Sequence, residues 1–147
     1  MNATLLLKIL TCSVGIWIGV NLLRGYIGGW MRLARTYRAS SQKKVVTGIS
    51  RRRFFQTAYM RWLMVYGDCM MFRADNRGLR ISVLPVFRIG HPSLLIPWDE
   101  ITVVNLKGLF KPIVELRFQA EPSVPLRMSR LVYQSLAENF SSIGDAH

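Results

Sequence analysis

Met70-Met-Phe-Arg-Ala-Asp-Asn-Arg-Gly-Leu-Arg-Ile-Ser-Val83 is the stretch whose reading decides the fold. Met70 to Ala74 reads as a strand, and Asp75-Asn-Arg-Gly78 as a hairpin turn with glycine where a positive φ is expected. Leu79, Ile81 and Val83 then alternate with Arg80 and Ser82, the pattern of a strand with one dry face and one wet face. The same grammar continues downstream. Leu94 to Trp98 and Ile101 to Leu106 are short apolar runs split by Asp99-Glu100. Val114, Leu116 and Phe118 alternate with Glu115 and Arg117, and Leu126 and Met128 flank Arg127. The prolines, from Pro85 to Pro125, fall at edges and turns, where a missing N–H is tolerated. Residues 56–66 are apolar throughout, and periodicity leaves strand and helix both open for them.

The tail changes period. Ser129 can cap a helix from Arg130 to about Phe140, with Val132, Leu136 and Phe140 on one stripe. Short antiparallel strands followed by one amphipathic helix predict a small open barrel whose uncovered end the helix closes. Ile96 and Trp98 are expected in its core or at its rim.

Upstream the chemistry is different. Leu5 to Leu23 is an apolar run with Lys8 as its only charge. In a helix it would be about 28 Å long, close to the hydrocarbon thickness of a bilayer. A cleaved signal peptide would need positive charge before the run and a small-x-small site after it. Here the run exits through Asn-Leu-Leu-Arg-Gly-Tyr. Lipidation at Cys12 is disfavoured by Thr11 before it and by the apolar residues that continue beyond it. The run is read as an uncleaved transmembrane anchor spanning residues 1–23.

Charge gives it a direction. Residues 1–67 hold eleven Lys or Arg and no acid, and residues 68–147 hold nine basic and eight acidic residues. After the anchor come Arg24, Arg32, Arg35, Arg38, Lys43 and Lys44, so loop charge places the C-terminal part in the cytoplasm of a cell whose inner (plasma) membrane carries the anchor. Residues 24–53 are read as a basic amphipathic connector and linker. Tyr26, Trp30, Leu33 and Tyr37 follow helical spacing, with Arg32, Arg35 and Arg38 on another side. Two readings of that face stay open: aromatics Tyr26, Trp30 and Tyr37 in the membrane interface, or packed on the soluble domain. Arg32, Arg35, Arg38, Lys43, Lys44, Arg51, Arg52 and Arg53 are the expected contacts for anionic lipid or a partner. Arg51-Arg-Arg53 beside Phe54-Phe55 could clamp phosphates, while the simpler reading makes the two rings the first core residues of a domain at 54–147.

Gly78-Leu-Arg-Ile-Ser, followed by Leu94-Leu-Ile-Pro-Trp-Asp-Glu-Ile-Thr-Val-Val and a closing helix, resembles bacterial PH-like and GRAM-like domains in single-pass membrane-anchored proteins. The resemblance implies a mainly β fold with α, namely a transmembrane helix and a small PH-like antiparallel β-barrel closed by a C-terminal helix. It implies no reaction.

The residues themselves offer little catalytic chemistry. His91 precedes Pro92 and is expected extended, in a turn or hydrogen-bonding role. Asp99-Glu100 suits a turn, and neither a Gly-x-Ser-x-Gly elbow nor a phosphate-binding glycine loop is present in the sequence. Cys12 and Cys69 are not expected to pair. No catalytic residue, cofactor site or metal site is assigned. The expected function is a non-enzymatic, membrane-anchored interaction module that binds a protein partner or anionic membrane lipid. The alternatives are a subunit or assembly factor of a membrane complex, and nucleic-acid binding through residues 24–53, whose aromatic pattern fits lipid at least as well.

Overall fold

The computed structural model describes residues 2–39, 51–61, 64–108 and 111–144. Lys43 and Lys44 lie outside the described residues. The first helix, α1, runs from Ala3 to Ile27 and is about 37 Å long. It is long and apolar enough to cross a membrane, and its apolar window is not buried by the rest of the chain. Of its 25 residues only Asn21 and Gly25 are buried, so the chain itself leaves a nearly uniform apolar cylinder uncovered.

α1 stops at two glycines. Gly28 donates its N–H to the Arg24 carbonyl, and Gly29 takes a φ of +81°, which L side chains rarely adopt. A Cβ on Gly29 would also lie 2.7 Å from a methyl of Val124. The chain therefore turns there and begins a second helix, α2, from Trp30 to Tyr37. Its buried residues are Trp30, Leu33, Ala34 and Tyr37, the i, i+3, i+4, i+7 stripe of an amphipathic helix.

Seven antiparallel strands follow: β1 (Arg51–Met60), β2 (Met64–Asp75), β3 (Gly78–Val83), β4 (Leu94–Ile96), β5 (Ile101–Leu106), β6 (Ile113–Phe118) and β7 (Leu126–Ser129). Helix α3 (Arg130–Gly144) ends the described chain. The strand order is β4-β3-β2-β1-β7-β6-β5, so the first and last strands are neighbours and the sheet curls into a half-barrel. The opening lies between β4 and β5, which are consecutive in sequence but unpaired. Of residues 56–66, open between helix and strand by sequence, 56–60 belong to β1 and 64–66 to β2, which pair antiparallel. The hairpin expected at Asp75–Gly78 is present, with Asp75 opposite Gly78 across the turn.

Helix α2 fills the opening. Arg38, just past its end, bridges to Leu94, and Ala39 donates to the Ser93 carbonyl at 2.8 Å, which covers the free edge of β4. The Tyr37 hydroxyl donates to the Glu100 carboxylate and accepts the Ala120 N–H at 3.1 Å. Its ring meets Phe118 of β6, so Tyr37 ties α2 to the β5–β6 side of the opening, while Arg38 and Ala39 tie it to β4. Burial, and next the Glu100 carboxylate, hold the Tyr37 hydroxyl above its ordinary pKa, so it remains a donor at neutral pH. Helix α3 lies over β1, β2, β6 and β7, with Leu136 buried and Val132 and Tyr133 partly so.

The core combines strand residues such as Phe72, Ile81, Ile96, Leu116 and Phe118 with Trp30 and Leu33 of α2. Ile96 is wholly buried, while Trp98 sits at the rim and donates its indole N–H to the Asp75 carbonyl at 2.8 Å. Glu115 is buried and held by two arginines, Arg117 and Arg127, each at 2.7 Å. Burial alone would raise its pKa, but the two guanidinium hydrogen bonds outweigh that and hold it below the ordinary carboxylate value.

Three expectations need correction. Trp30 and Tyr37 are not interfacial aromatics: they are 0% and 4% exposed, because the open half-barrel gives them a protein cavity to fill. The domain accordingly begins with α2, and the expected boundary after residue 53 falls inside β1. Phe54 and Phe55 do not enter the core either. Phe55 has a φ of 53° in a bulge between Arg53 and Gln56, and both rings stay exposed, at 49% and 64%.

Candidate functional site

The end of α1 is built into the domain by several contacts. Gly25 faces Gly90 so closely that a Cβ would lie 2.7 Å from the Gly90 carbonyl oxygen. Arg24 donates to the Val65 carbonyl at 2.7 Å and stands 5.8 Å from the centre of the Tyr66 ring. Arg61, which follows β1 with a φ of 53°, donates to the Ile27 carbonyl at 3.2 Å. A cation on the last carbonyls of a helix also complements its dipole.

Behind these contacts is a buried aromatic and polar cluster. Trp30 packs on Tyr66 and edge-on to His91, with ring centres 5.6 and 5.2 Å apart, and donates its indole N–H to the Pro92 carbonyl. His91 Nδ1 lies 3.1 Å from the Ile89 carbonyl, which can only accept, so Nδ1 carries the proton. Nε2 then accepts from the Tyr66 hydroxyl at 3.1 Å. Burial lowers the pKa of His91 and pushes that of Tyr66 up to about 12, so both are neutral at pH 7. The adjoining cavity, bordered by Asn21, Arg24, Cys69 and His91, is about 70 Å³. That is far below the roughly 300 Å³ at which small-molecule sites begin. Burial also raises the Cys69 thiol, which leaves it a poor nucleophile. The cluster works as a latch between α1 and the domain.

A larger feature lies on the outside of the same junction. A concavity of about 370 Å³ is lined by Tyr26, Ile27, Met31, Arg32, Arg35 and Arg61. Arg32 and Arg35 come from the outer face of α2, and Arg61 comes from the turn after β1. Among the described residues, no acidic side chain lines it. Next to it runs an apolar groove of about 440 Å³, bounded by Gly19, Leu22, Leu23, Tyr26, Met31 and Gly90. Tyr26 and Met31 border both, so cationic pocket and apolar groove adjoin each other. Planar guanidinium groups match phosphate oxygens in pairs, and a groove along α1 suits a hydrocarbon chain.

The structure thus separates the basic residues singled out by sequence. Arg32 and Arg35 converge, with Tyr26 exposed beside them, and Arg61 joins them. Arg38 sits at the β4 edge. Arg53 donates to Ser135 of α3 at 3.0 Å. Arg51 opens β1, and Arg52 stands in register with Arg73 of β2, itself in register with Arg80 of β3. That line of arginines crosses three strands. Burial first and then the Arg52 charge lower the pKa of Arg73. Arg61, Arg73 and Arg80 were not singled out in the sequence because strand register and the β1–β2 turn decide their neighbours.

Cys12 and Cys69 are both free. Among the described residues, no group of three or more His, Cys, Asp or Glu side chains is placed to hold a metal ion. Comparison with family models, curated proteins and solved structures finds no match to this chain.

Proposed function

We propose that the chain is a single-pass membrane protein and a non-enzymatic interaction module. In this reading α1 spans the bilayer, the half-barrel stands on the cytoplasmic face, and the module holds an anionic phospholipid at the foot of α1. The observation that carries it is that the Arg32–Arg35–Arg61 pocket adjoins the apolar groove on α1, with Tyr26 and Met31 bordering both. One half suits a headgroup phosphate and the other an acyl chain, at the level where an α1 span would leave the hydrocarbon. The exposed apolar surface of α1 supports the span, since soluble proteins rarely leave so large a patch uncovered. The seven-strand antiparallel order and terminal helix support the PH-like resemblance.

The test is lipid retention by the full chain after detergent extraction, read by native mass spectrometry. Phosphatidylglycerol should stay bound in preference to phosphatidylcholine, and replacing Arg32, Arg35 and Arg61 together with Gln should abolish that preference. Equal retention of both lipids would remove the lipid reading. A phosphatase fused to the C-terminus should be inactive, and an active fusion would reverse the orientation. A protein partner is the second reading. The outward Phe54 and Phe55 favour it, since a bulge presents two large rings to the outside.

A further inference from the structure

The segment Pro85-Val-Phe-Arg-Ile-Gly90 follows β3 and lies along α1. It starts with a 3₁₀ turn, Pro85–Phe87. Phe87 meets Trp17 of α1, with ring centres 6.2 Å apart at a 43° tilt. Gly90 lies so close to Leu22 that a Cβ there would sit 3.1 Å from its Cδ2. These contacts fix the height of the segment against the helix. Trp17 precedes Leu23, the end of the apolar run, by six residues, or about 9 Å along the axis. If Leu23 marks the hydrocarbon boundary, Phe87 stands below it.

The outward side chains match that position. Val86 is 64% exposed and Ile89 is 40% exposed. Arg88 between them is exposed, at the place where a guanidinium could reach phosphates. An apolar tip with one cation, held to a helix at hydrocarbon depth, has one fitting occupant.

We propose that residues 85–90 enter the acyl-chain region of the leaflet beside α1, as a second membrane contact of this protein. The proposal rests on the reading of α1 as a membrane span. Its consequence is orientational: α1 and the loop, latched into one body, fix which side of the half-barrel meets the leaflet.

Site-directed spin labelling of the full chain in phospholipid vesicles tests it. In a Cys12→Ser, Cys69→Ala background, single labels are placed by Val86→Cys, Ile16→Cys and Asn76→Cys, all at exposed positions. Asn76 is in the turn at the opposite end of β3, about 20 Å away. Relaxation by oxygen, which concentrates in lipid, is compared with relaxation by a water-soluble nickel chelate. The label at Val86 should show an oxygen-to-nickel ratio several-fold above that at Asn76 and close to that at Ile16. A Val86 ratio equal to that of Asn76, with Ile16 in lipid, would leave the span intact and overturn the loop insertion. A Val86 label shielded from both reagents would mean that protein covers the loop, and would also overturn it. An aqueous Ile16 would overturn the span and the insertion together.

Discussion

Helices α1 and α2 are separated by two glycines and differ in almost every physical respect. α1 is apolar on all sides and buries only Asn21 and Gly25. α2 is apolar on one stripe and buries the whole of it, with Trp30 and Leu33 at 0% exposure. A helix that is apolar all round asks for a surrounding solvent of the same kind, which the rest of this chain does not supply. A helix apolar on one stripe asks only for a surface to lie on, and the opening between β4 and β5 is that surface. The polar side of α2 is thereby turned outward, which places Arg32 and Arg35 beside the foot of α1. Amphipathicity identifies the face of a helix that will be covered but leaves open what covers it.

The contrast should appear first in stability. Trp30→Ala should destabilise the domain by about 3–5 kcal/mol, through the cavity it leaves and the loss of the donor to the Pro92 carbonyl. Leu7→Ala, on the uncovered length of α1, should leave the same unfolding transition unchanged. Chemical denaturation of the detergent-solubilised full chain measures both. Comparable losses at the two positions would erase the distinction between a lipid-facing and a core helix.

Acid should act on the domain in two steps. His91 is buried neutral with a lowered pKa, so the unfolded chain binds its proton first. The stability this group contributes is present above about pH 6.5 and falls as pH drops below that value, and His91→Gln should remove the effect. Glu115 has a lowered pKa through Arg117 and Arg127. Its contribution is present above about pH 4.3 and is lost as pH falls further, through its depressed folded value. Melting temperature followed from pH 8 to pH 4 should show the His91 step, with the Glu115 step opening at the acid end. A flat profile to pH 5 would show that His91 stays as easily protonated folded as unfolded.

The smallest effect belongs to the outer face of α2. Arg32→Gln and Arg35→Gln should each change stability by less than about 0.5 kcal/mol, as exposed substitutions do. A large loss would make these arginines structural and weaken their assignment to a headgroup.

Much of the architecture is legible in the sequence. The Asp75–Gly78 turn, the alternation through Leu79, Ile81 and Val83, and the inward Val132 and Leu136 of α3 depend on local pattern, and each appears where that pattern puts it. The apolar run of α1 was equally plain. The pairing of β1 with β7 and the filling of the barrel by α2 were not legible, because both depend on residues far apart in sequence. The same limit governs the site. Arg32 and Arg35 could be named from helical spacing, whereas Arg61 comes from a turn inside an apolar run and meets them only through the fold. His91 could be given a hydrogen-bonding role beside Pro92, but its partners Tyr66 and Trp30 are supplied by β2 and α2.

The central claim is that α1 remains attached and holds the domain in a bilayer. Alkaline carbonate extraction of membranes carrying the full chain with a C-terminal tag tests it most directly, with the pellet and supernatant compared on one blot. The account predicts a single band at the size of the intact chain that stays in the membrane pellet. A tagged band released into the supernatant, or one shortened by the length of α1, would contradict it.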